Sequence, residues 1–306
     1  MRHSSVWPDH LSSVLATHRQ RLADAGIDTP DVDVSLLAAH VLGVPARRLP
    51  AALPEADDDA LARLDALVER RASRVPVQHL VGVAPFRHLE LVVRPGVFVP
   101  RPETEVLVGV ALELLRTRPG TRTVLEPCTG TGAIALALAS EEPDLHVVAT
   151  DVDPAAVSLA CRNLARVRSG DAGVDGLQAG STVEVLEGEL LSPVSHDLRG
   201  AIDLLVSNPP YLPIGDRDAM PPEVAEHDPS VALFGGEDGF EVLDRLLAEA
   251  RAWLVPGGAV VIEIDDRRGA DAAARASAAG LRGARVLRDL TGRDRVLVAA
   301  APGGGA

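Results

Sequence analysis

Residues 123–139 decide the fold, and they read TVLEPCTGTGAIALALA. The first apolar residues predict a buried strand, Gly130 and Gly132 a tight turn, and the residues from 133 to 139 a helix. Glycines between a strand and a helix let a ligand approach the backbone beside the positive end of the helix dipole. The stretch therefore predicts a unit of a parallel α/β sheet, with a site for a carboxylate or a phosphate at its turn.

A second strand is predicted at residues 146–150, and it ends in Asp151, 21 residues after Gly130. An acid at this separation, at the tip of the neighbouring strand, is suited to accept hydrogen bonds from both hydroxyls of a ribose. The glycine pattern with Ala135 also fits a dinucleotide fingerprint, so both interpretations stay open at this point. Cys128 has no histidine close to it in the sequence, and we interpret it as a small residue in a tight turn rather than as a nucleophile.

A third informative stretch is IDLLVSNPPY, at residues 202–211. Its apolar part predicts a central strand, which ends at Pro209 and Pro210 because proline has no N–H for a strand ladder. Open α/β sheets bind their ligands at the carboxyl ends of strands. At that position the Asn208 side-chain oxygen and a backbone carbonyl can each accept one N–H, while the Tyr211 ring covers a flat face. The stretch therefore predicts a site that holds a planar NH2 group.

The order of the predicted elements divides the chain into four segments. Residues 1–75 have helical periodicity and predict a small helical domain, and residues 76–100 alternate apolar and polar side chains, which predicts a hairpin linker. Residues 101–301 alternate strands and helices and close with a hairpin, so we expect a mostly parallel sheet whose last strand is antiparallel. Residues 302–306 form a tail. The motif PRPETE at residues 100–105 precedes a helix, and helix capping explains most of it.

Composition restricts the functional classes. The net charge of the 306 residues is −14, which argues against broad binding to a nucleic acid backbone. Two cysteines cannot form a disulfide framework, and the sequence has neither an apolar signal-peptide core nor a run of about 18 apolar residues, so we expect a cytoplasmic protein without a membrane span. The nine histidines lack metal-ligand spacing and no Gly-x-Ser-x-Gly elbow is present, so neither a metal site nor a serine hydrolase is expected.

The motifs, taken in this order, resemble those of the HemK-type release-factor glutamine N5-methyltransferases, which are Rossmann-type S-adenosylmethionine-dependent enzymes. The resemblance covers nearly the whole chain. Its motifs are Ala25–Asp28, Leu36–Gly43, Pro76–His79 with Gly82, Pro100–Glu105, Thr129–Ala135, Asn208–Tyr211, Glu226–Pro229 with Ala232, Leu233, Gly235 and Gly236, and Asp289–Arg295. Their combination with a helical N-terminal domain is specific to this family.

The resemblance implies a seven-stranded methyltransferase sheet and the transfer of a methyl group to the side-chain amide nitrogen of a glutamine. In the family, that glutamine lies in the Gly-Gly-Gln tip of class 1 peptide chain release factors, which residues 1–75 are expected to recognise. The resemblance also implies the contacts of the cofactor. The methionine end of S-adenosylmethionine would lie at Cys128, Thr129, Gly130, Thr131 and Gly132, its ribose on Asp151, and its adenine near Glu189 and Leu190. The substrate glutamine would lie on Asn208, Pro209, Pro210 and Tyr211, with Asn208 also beside the cofactor.

The sequence departs from the family pattern at a few positions. Glu126 and Glu189 stand where the family usually has Asp, each one methylene longer, and both are expected at the cofactor. Asp265 and Asp266 follow Glu263-Ile264 where a glycine is more typical. The departures at Glu126 and Glu189 concern the tuning of the cofactor pocket and leave the Asn208–Tyr211 chemistry unchanged.

Other functions fit parts of the pattern. An exocyclic amino group of a nucleic acid base presents the same NH2 group, but enzymes that modify it must also track a charged backbone, which the acidic composition does not favour. A ribosomal-protein glutamine is a close alternative substrate. A non-catalytic S-adenosylmethionine-binding partner protein would suit the altered acids but not the intact Asn208–Tyr211 motif. A dehydrogenase lacks support because no residues for hydride transfer or proton relay are evident.

Overall fold

The computed structural model describes residues 7–46, 49 and 56–303. These residues form two compact units. The first contains the described residues up to Val83 together with Pro221–His227, and the second contains Ala84–Met220 and the residues from Asp228 onward. Residues 1–6, 47, 48 and 50–55 of the predicted helical domain, and residues 304–306 of the predicted tail, lie outside the described residues.

Helices and strands alternate along most of the described chain. The helices are α1 (Trp7–Asp24), α2 (Pro30–Leu42), α3 (Asp58–Ala72), α4 (Val77–Val81), α5 (Thr104–Arg116), α6 (Ala133–Glu141), α7 (Pro154–Ser169), α8 (Pro222–His227), α9 (Ser230–Leu233), α10 (Glu241–Trp253) and α11 (Gly269–Ala278). The strands are β1 (Val83–Phe86), β2 (Leu89–Val92), β3 (Arg122–Pro127), β4 (Leu145–Asp151), β5 (Thr182–Glu187), β6 (Ile202–Ser207), β7 (Leu254–Glu263), β8 (Arg282–Arg288) and β9 (Asp294–Ala300).

The first unit is helical. Leu22 and Leu37 are fully buried in its core, and Asp33 forms an ion pair of 2.6 Å with Arg71 in which both side chains are almost inaccessible. Glu223 of α8 accepts hydrogen bonds from Arg71 and Arg74, at 3.2 and 3.0 Å. Buried charges persist where they are paired, and breaking such a pair is costly. These ion pairs therefore hold α8 within the helical unit although its residues come from much later in the chain.

The second unit is built on a seven-stranded sheet with the order β5-β4-β3-β6-β7-β9-β8. The pairs from β5 to β7 are parallel, and β9 runs antiparallel to both of its neighbours. The prediction of seven strands with an antiparallel last strand is confirmed. Because the strand order reverses between β3 and β6, the carboxyl ends of these two strands open a crevice, which is where open α/β sheets bind ligands.

Both faces of the sheet are buried, and this explains the continuous apolar runs in its strands. Along β6, Leu204 and Val206 join the core on the side of α5 and α6, whereas Leu205 joins the core on the side of α10 and α11. Successive side chains of a strand point to opposite faces, so a strand covered on both sides needs apolar residues at every position. The period-two alternation expected of a half-exposed strand is therefore absent from these central strands.

Gly132, at the start of α6, is required by close packing. Its φ is +82°, and an added Cβ would lie 3.3 Å from the Cβ of Ala160 and 3.3 Å from the Cδ1 of Leu136. A larger residue would therefore be strained in its backbone and would also push α6 away from α7. This glycine allows the start of α6 to lie close to α7 at the turn that follows β3.

Several boundaries differ from the sequence predictions. The predicted hairpin of residues 76–100 has strands only at 83–86 and 89–92, and residues 77–81 form α4, which ends at Gly82 in a left-handed conformation. The strand predicted from Ala259 begins five residues earlier, because Leu254 already pairs with Ile202 before the register shifts. The long loop predicted after Tyr211 contains the short helices α8 and α9.

Candidate active site

A cavity of about 280 Å³ lies at the carboxyl ends of β3, β4 and β6. Its volume is close to the lower end of the range of small-molecule pockets, roughly 300 Å³. The predicted site residues that line it are Cys128, Thr129, Gly130, Thr131, Asp151, Glu189, Leu190, Asn208, Pro210 and Tyr211. Gly132 and Pro209, which the sequence analysis also assigned to the site, are buried next to it and are not among the lining residues.

One end of the cavity, which we call the glycine-turn end, consists of Cys128–Gly132 and Asp151. Cys128 has a φ of +62° although it carries a side chain, and Gly130 has a φ of +57°. An added Cβ at Gly130 would meet no atom within 4 Å, so this glycine faces open space rather than a packed neighbour. Non-glycine residues in the left-handed region are strained and concentrate at ligand sites. The turn is thus held in a shape that exposes its backbone to the cavity.

Asp151 fixes that turn with its carboxylate. Its Oδ2 accepts a hydrogen bond from the Gly130 N–H at 2.8 Å, and its Oδ1 accepts one from the Asp153 N–H at 3.0 Å. Each carboxylate oxygen has two lone pairs, so both oxygens keep capacity for hydroxyl donors. Burial raises the pKa of Asp151, and the backbone donors oppose that rise. The geometry is compatible with the ribose contact expected from the sequence.

Glu126 lies beneath the turn rather than in the cavity. Its Oε2 accepts hydrogen bonds from the Thr129 hydroxyl at 2.8 Å and from the Ala135 N–H at 2.9 Å, and the residue is not among those that line the cavity. Burial raises its pKa well above the usual range. Its longer side chain therefore links β3 to the first turn of α6, so the structure corrects the expectation that it would contact a cofactor directly.

Glu189 lies at the rim. Its carboxylate pairs with Arg245 at 2.6 Å, with more than half of the glutamate side chain exposed, and the hydrogen bond from Arg245 lowers its pKa. Exposed ion pairs contribute little to stability or affinity because water and salt screen them. The next residue, Leu190, is buried with a φ of +48°, and its carbonyl accepts a hydrogen bond of 2.6 Å from the Thr150 hydroxyl. Of these two neighbours, Leu190 forms the firmer wall of the cavity.

The opposite end, which we call the amide end, consists of Thr104, Asn208, Tyr211 and Glu263. The Nδ2 of Asn208 donates to the Thr104 hydroxyl at 3.3 Å, and that hydroxyl donates to Oε2 of Glu263 at 2.7 Å. The Tyr211 hydroxyl donates to Oε1 of the same glutamate at 3.3 Å. Asn208, Tyr211 and Thr104 line the cavity, and Glu263 is buried behind them with 2% of its surface exposed.

Burial raises the pKa of Glu263 to about 7, even though it accepts two hydrogen bonds and lies near Arg295. Burial is also the main cause of a raised pKa of Tyr211, and the negative charge of Glu263 adds to it. Tyr211 is therefore a neutral hydrogen-bond donor at physiological pH, and Glu263 can change its charge within that range.

Two glycines of the following loop support the backbone of Pro210 and Tyr211. An added Cβ on Gly235 would approach the Pro210 carbonyl oxygen to 2.5 Å, and one on Gly239 would meet the Tyr211 carbonyl oxygen. Leu212 donates its N–H to the Leu233 carbonyl at 2.9 Å, which joins the two sides of the loop. Only residues without a side chain allow this close backbone contact, so the glycines after Leu233 shape the carbonyl run of the Asn-Pro-Pro-Tyr motif.

The structure corrects part of the capping interpretation of residues 100–105. Helix α5 begins at Thr104 and has Glu105 as an acid in its first turn, but Pro102 precedes the helix and the Glu103 side chain makes no capping hydrogen bond. Instead, Arg101 pairs with Asp228 at 2.5 Å, and Thr104 joins the amide end. Thr104 and Glu263 are therefore site residues that sequence reasoning missed. The available signal was Glu263 itself, a carboxylate at the carboxyl end of an apolar strand.

Two other kinds of site are absent from the part of the chain that the structure describes. Within the described residues, no group of His, Cys, Asp and Glu is arranged to hold a metal ion. Among the described helices, none combines the length and the apolar character that crossing a bilayer requires. The cavity itself combines a glycine-rich turn, the Asp151 carboxylate at the glycine-turn end and an oriented carboxamide at the amide end.

Comparison with known proteins matches both units. Residues 13–82 match the family model described as the PrmC N-terminal domain, and residues 88–220 match the methyltransferase small domain. The chain is 44% identical over 293 residues to the release factor glutamine methyltransferase of Mycolicibacterium smegmatis, with 94% of this chain and 97% of the relative covered. It is also 44% identical to the protein of the same name from Deinococcus radiodurans, with 96% of this chain and 99% of the relative covered.

Among solved structures, the chain is similar to a methyltransferase from Pyrococcus furiosus. The TM-score is 0.50 at 20% sequence identity, and the match covers 76% of this chain and 99% of the other. At this identity the similarity concerns the fold alone.

Proposed function

The chain belongs to the family of release factor glutamine methyltransferases, and from this premise we propose that it methylates the glutamine of the Gly-Gly-Gln motif in class 1 peptide chain release factors, using S-adenosylmethionine. The chain is a methyltransferase by membership of this family. The observation that carries the proposal for the substrate is the carboxamide of Asn208, whose nitrogen is bonded to Thr104 at the wall of the cavity.

The glycine-turn end fits S-adenosylmethionine by its donors and acceptors. The positive end of the α6 dipole, directly after the turn, suits the carboxylate of a methionine moiety, and the remaining lone pairs of Asp151 suit two ribose hydroxyls. Val152 and Leu190 supply apolar surface for a flat base. When bound, this cofactor supplies an electrophilic methyl group on a sulfonium. We assign its binding to Cys128, Thr129, Gly130, Thr131, Gly132, Asp151, Glu189, Leu190 and Asn208.

At the amide end, the residues of this chain orient a poor nucleophile. The lone pair of an amide nitrogen is delocalised into its carbonyl, so the nitrogen must be held in a geometry that favours attack. In our proposal, the Asn208 Oδ1 and the Pro209 carbonyl accept the two N–H groups of the substrate and stabilise positive charge that develops on nitrogen. Tyr211 and Pro210 pack on the amide plane. Alignment of this kind is worth roughly 7 to 11 kcal/mol, and no general base is needed before transfer because the methylated, protonated amide is strongly acidic.

The helical domain is assigned to substrate recognition. We propose that residues 1–75 bind the release factor, that the hairpin of residues 76–100 links the domains, and that residues 101–301 carry the transfer. The match of residues 13–82 to the model of the PrmC N-terminal domain supports a separate N-terminal domain. We place the reaction in the cytoplasm, because that is where translation terminates.

The test is a transfer assay with purified protein, class 1 release factor and S-adenosylmethionine labelled in its methyl group. We expect one methyl group on the motif glutamine, located by mass spectrometry of the release-factor peptides. A release factor with alanine in place of that glutamine is the matched control and should stay unlabelled. Label that enters only a ribosomal protein or a nucleic acid would contradict the proposed substrate, and cofactor binding without transfer to any of them would favour a non-catalytic role.

A further inference from the structure

Glu263, Thr104 and Asn208 form a directed chain of hydrogen bonds. A threonine hydroxyl has a single hydrogen, and the Thr104 hydrogen is donated to Glu263 at 2.7 Å. The same hydroxyl can therefore only accept from Asn208, which it does from Nδ2 at 3.3 Å. This arrangement settles which end of the carboxamide faces Thr104, and it directs Oδ1 away from that hydroxyl. Asn208 lines the cavity, and the hydrogen bond that its carboxamide makes within the described residues is the one from Nδ2 to Thr104.

We propose that Glu263 and Thr104 are positioning residues that hold the Asn208 oxygen toward the substrate, so that the site accepts a glutamine amide and rejects a glutamate carboxylate. This inference rests on the proposed function. An oxygen acceptor at this position attracts an NH2 group and repels a carboxylate. With the carboxamide reversed, its NH2 would meet the NH2 of the substrate and would instead attract a carboxylate.

Ionised Glu263 is the state that enforces the chain, because a carboxylate only accepts hydrogen bonds. Once protonated, it can donate to Thr104, and the Thr104 hydrogen is then free to bond Oδ1 and reverse the carboxamide. The raised pKa of Glu263, about 7, places this change close to physiological pH. The charged and titratable groups that act on the pair formed by Glu263 and Tyr211 are Arg295, which favours the ionised glutamate, and Glu103 and Asp265, which oppose negative charge there.

A purely structural role is the competing explanation, because the same bonds also attach α5 to the end of β7. In that role, loss of the Thr104 hydroxyl would lower stability and would leave the turnover of the folded enzyme, and its dependence on pH, unchanged. The two explanations therefore differ in kcat and in its pH profile rather than in melting temperature.

The first experiment removes the middle of the chain in the full-length protein. Thr104→Val should lower kcat for release-factor methylation about tenfold, the value of one hydrogen bond, with an unchanged Kd for S-adenosylmethionine. Thr104→Ser restores the hydroxyl and should restore most of kcat. Thr117→Val is the matched control, because it removes a hydroxyl at the other end of α5 that donates only to the Leu114 carbonyl. Equal kcat for Thr104→Val and the control would overturn the inference.

The second experiment removes the titratable group. For the wild type, kcat at saturating cofactor should fall about tenfold in total as the pH drops through about 7, to a plateau near the level of Thr104→Val. In Glu263→Gln that decline should disappear, and kcat should be reduced at pH 8. A release factor with glutamate in place of the motif glutamine should act as a competitive inhibitor, and the variant should bind it more tightly than the wild type does. A pH profile that Glu263→Gln leaves unchanged would contradict the inference.

The third experiment needs no substrate and thus separates this inference from the proposed function. The chain has two asparagines, Asn163 and Asn208, so selective 15N labelling of asparagine gives two side-chain NH2 signals in NMR. Asn163 is the internal reference, because its NH2 donates to the Val92 and Thr131 carbonyls. We expect the Asn208 signal alone to titrate near pH 7, and to stop titrating in Glu263→Gln.

The outcomes separate the two claims. An Asn208 signal that does not titrate would overturn the inference whatever the substrate is. A titrating signal in a protein that methylates no release factor would support the relay and contradict the proposed function.

Discussion

The glycine-turn end of the cavity is built from residues close to one another in the sequence, whereas the amide end is built from residues that are far apart in the sequence. Gly130 and Asp151 are linked by a backbone N–H and are 21 positions apart. Asn208 and Thr104 are 104 positions apart, and Thr104 and Glu263 are 159 apart. The positions of the backbone groups at the first end follow from one strand and one turn. The second end depends on four side chains from three segments that meet only in the folded protein.

This difference suggests a division of roles. The glycine-turn end presents fixed dipoles to a ligand and needs few side chains. The amide end uses a buried carboxylate with a raised pKa, and such a group costs stability whatever its role, which is typical of a functional site. If the two ends have these separate roles, substitutions at the glycine-turn end will affect binding of the cofactor, and substitutions at the amide end will affect transfer to the substrate.

The largest effect is expected for Asn208→Ala. Loss of a preorganised acceptor at the reacting group should reduce kcat by about two to three orders of magnitude. The Kd for S-adenosylmethionine, measured by isothermal titration, should stay nearly unchanged because the glycine-turn end is intact. Equal losses of transfer and of cofactor binding would contradict the division of roles, because both ends would then contribute to cofactor binding.

The next effect concerns stability at the amide end. Glu263 keeps its proton to a higher pH in the folded protein than the usual 4.5, so its ionisation opposes folding progressively between pH 4.5 and about 7 and fully above. Glu263→Gln removes this cost. Urea unfolding should show the variant gaining stability relative to the wild type as pH rises from 5 to 8, by up to about 3 kcal/mol. If the difference in unfolding free energy between the two proteins were the same at pH 5 and at pH 8, ionisation of Glu263 would not oppose folding.

A smaller effect is expected at the glycine-turn end. Asp151→Ala removes the acceptor of the Gly130 N–H and the proposed ribose ligand, so the Kd for S-adenosylmethionine should rise roughly 10- to 100-fold. At saturating cofactor, kcat should change much less. Asp153→Asn is the control, since it removes a negative charge from the same edge and keeps a residue able to cap α7. A similar loss of affinity in the control would point to charge rather than to the Asp151 hydrogen bonds.

The smallest effect is expected at the rim. Glu189→Ala should change cofactor affinity less than about threefold, because its carboxylate is exposed and paired with Arg245. Arg245→Ala should behave alike, and any change should shrink further in high salt. A large loss of cofactor affinity in Glu189→Ala, without a similar loss in Arg245→Ala, would show that Glu189 contacts the cofactor directly and belongs with the glycine-turn end.

Sequence patterns were sufficient for most of the sheet. Apolar runs such as residues 202–206 marked strands buried on both faces, and the turn at Gly130 and Gly132 marked where a ligand can approach the backbone. Asp151 followed from its distance to that turn. These features are determined locally, because strand period, glycine conformation and proline's missing N–H act within a few residues.

The sequence by itself thus determined the architecture, the glycine-turn end and the presence of an asparagine at the carboxyl end of β6. Tertiary structure alone decided how that asparagine is oriented, and it showed that Thr104 and Glu263 belong with it while Glu126 braces the turn from below. The reason is physical: the direction of a hydrogen bond depends on which donor meets which acceptor, and here the partners come from a helix, a loop and a strand more than 50 positions apart.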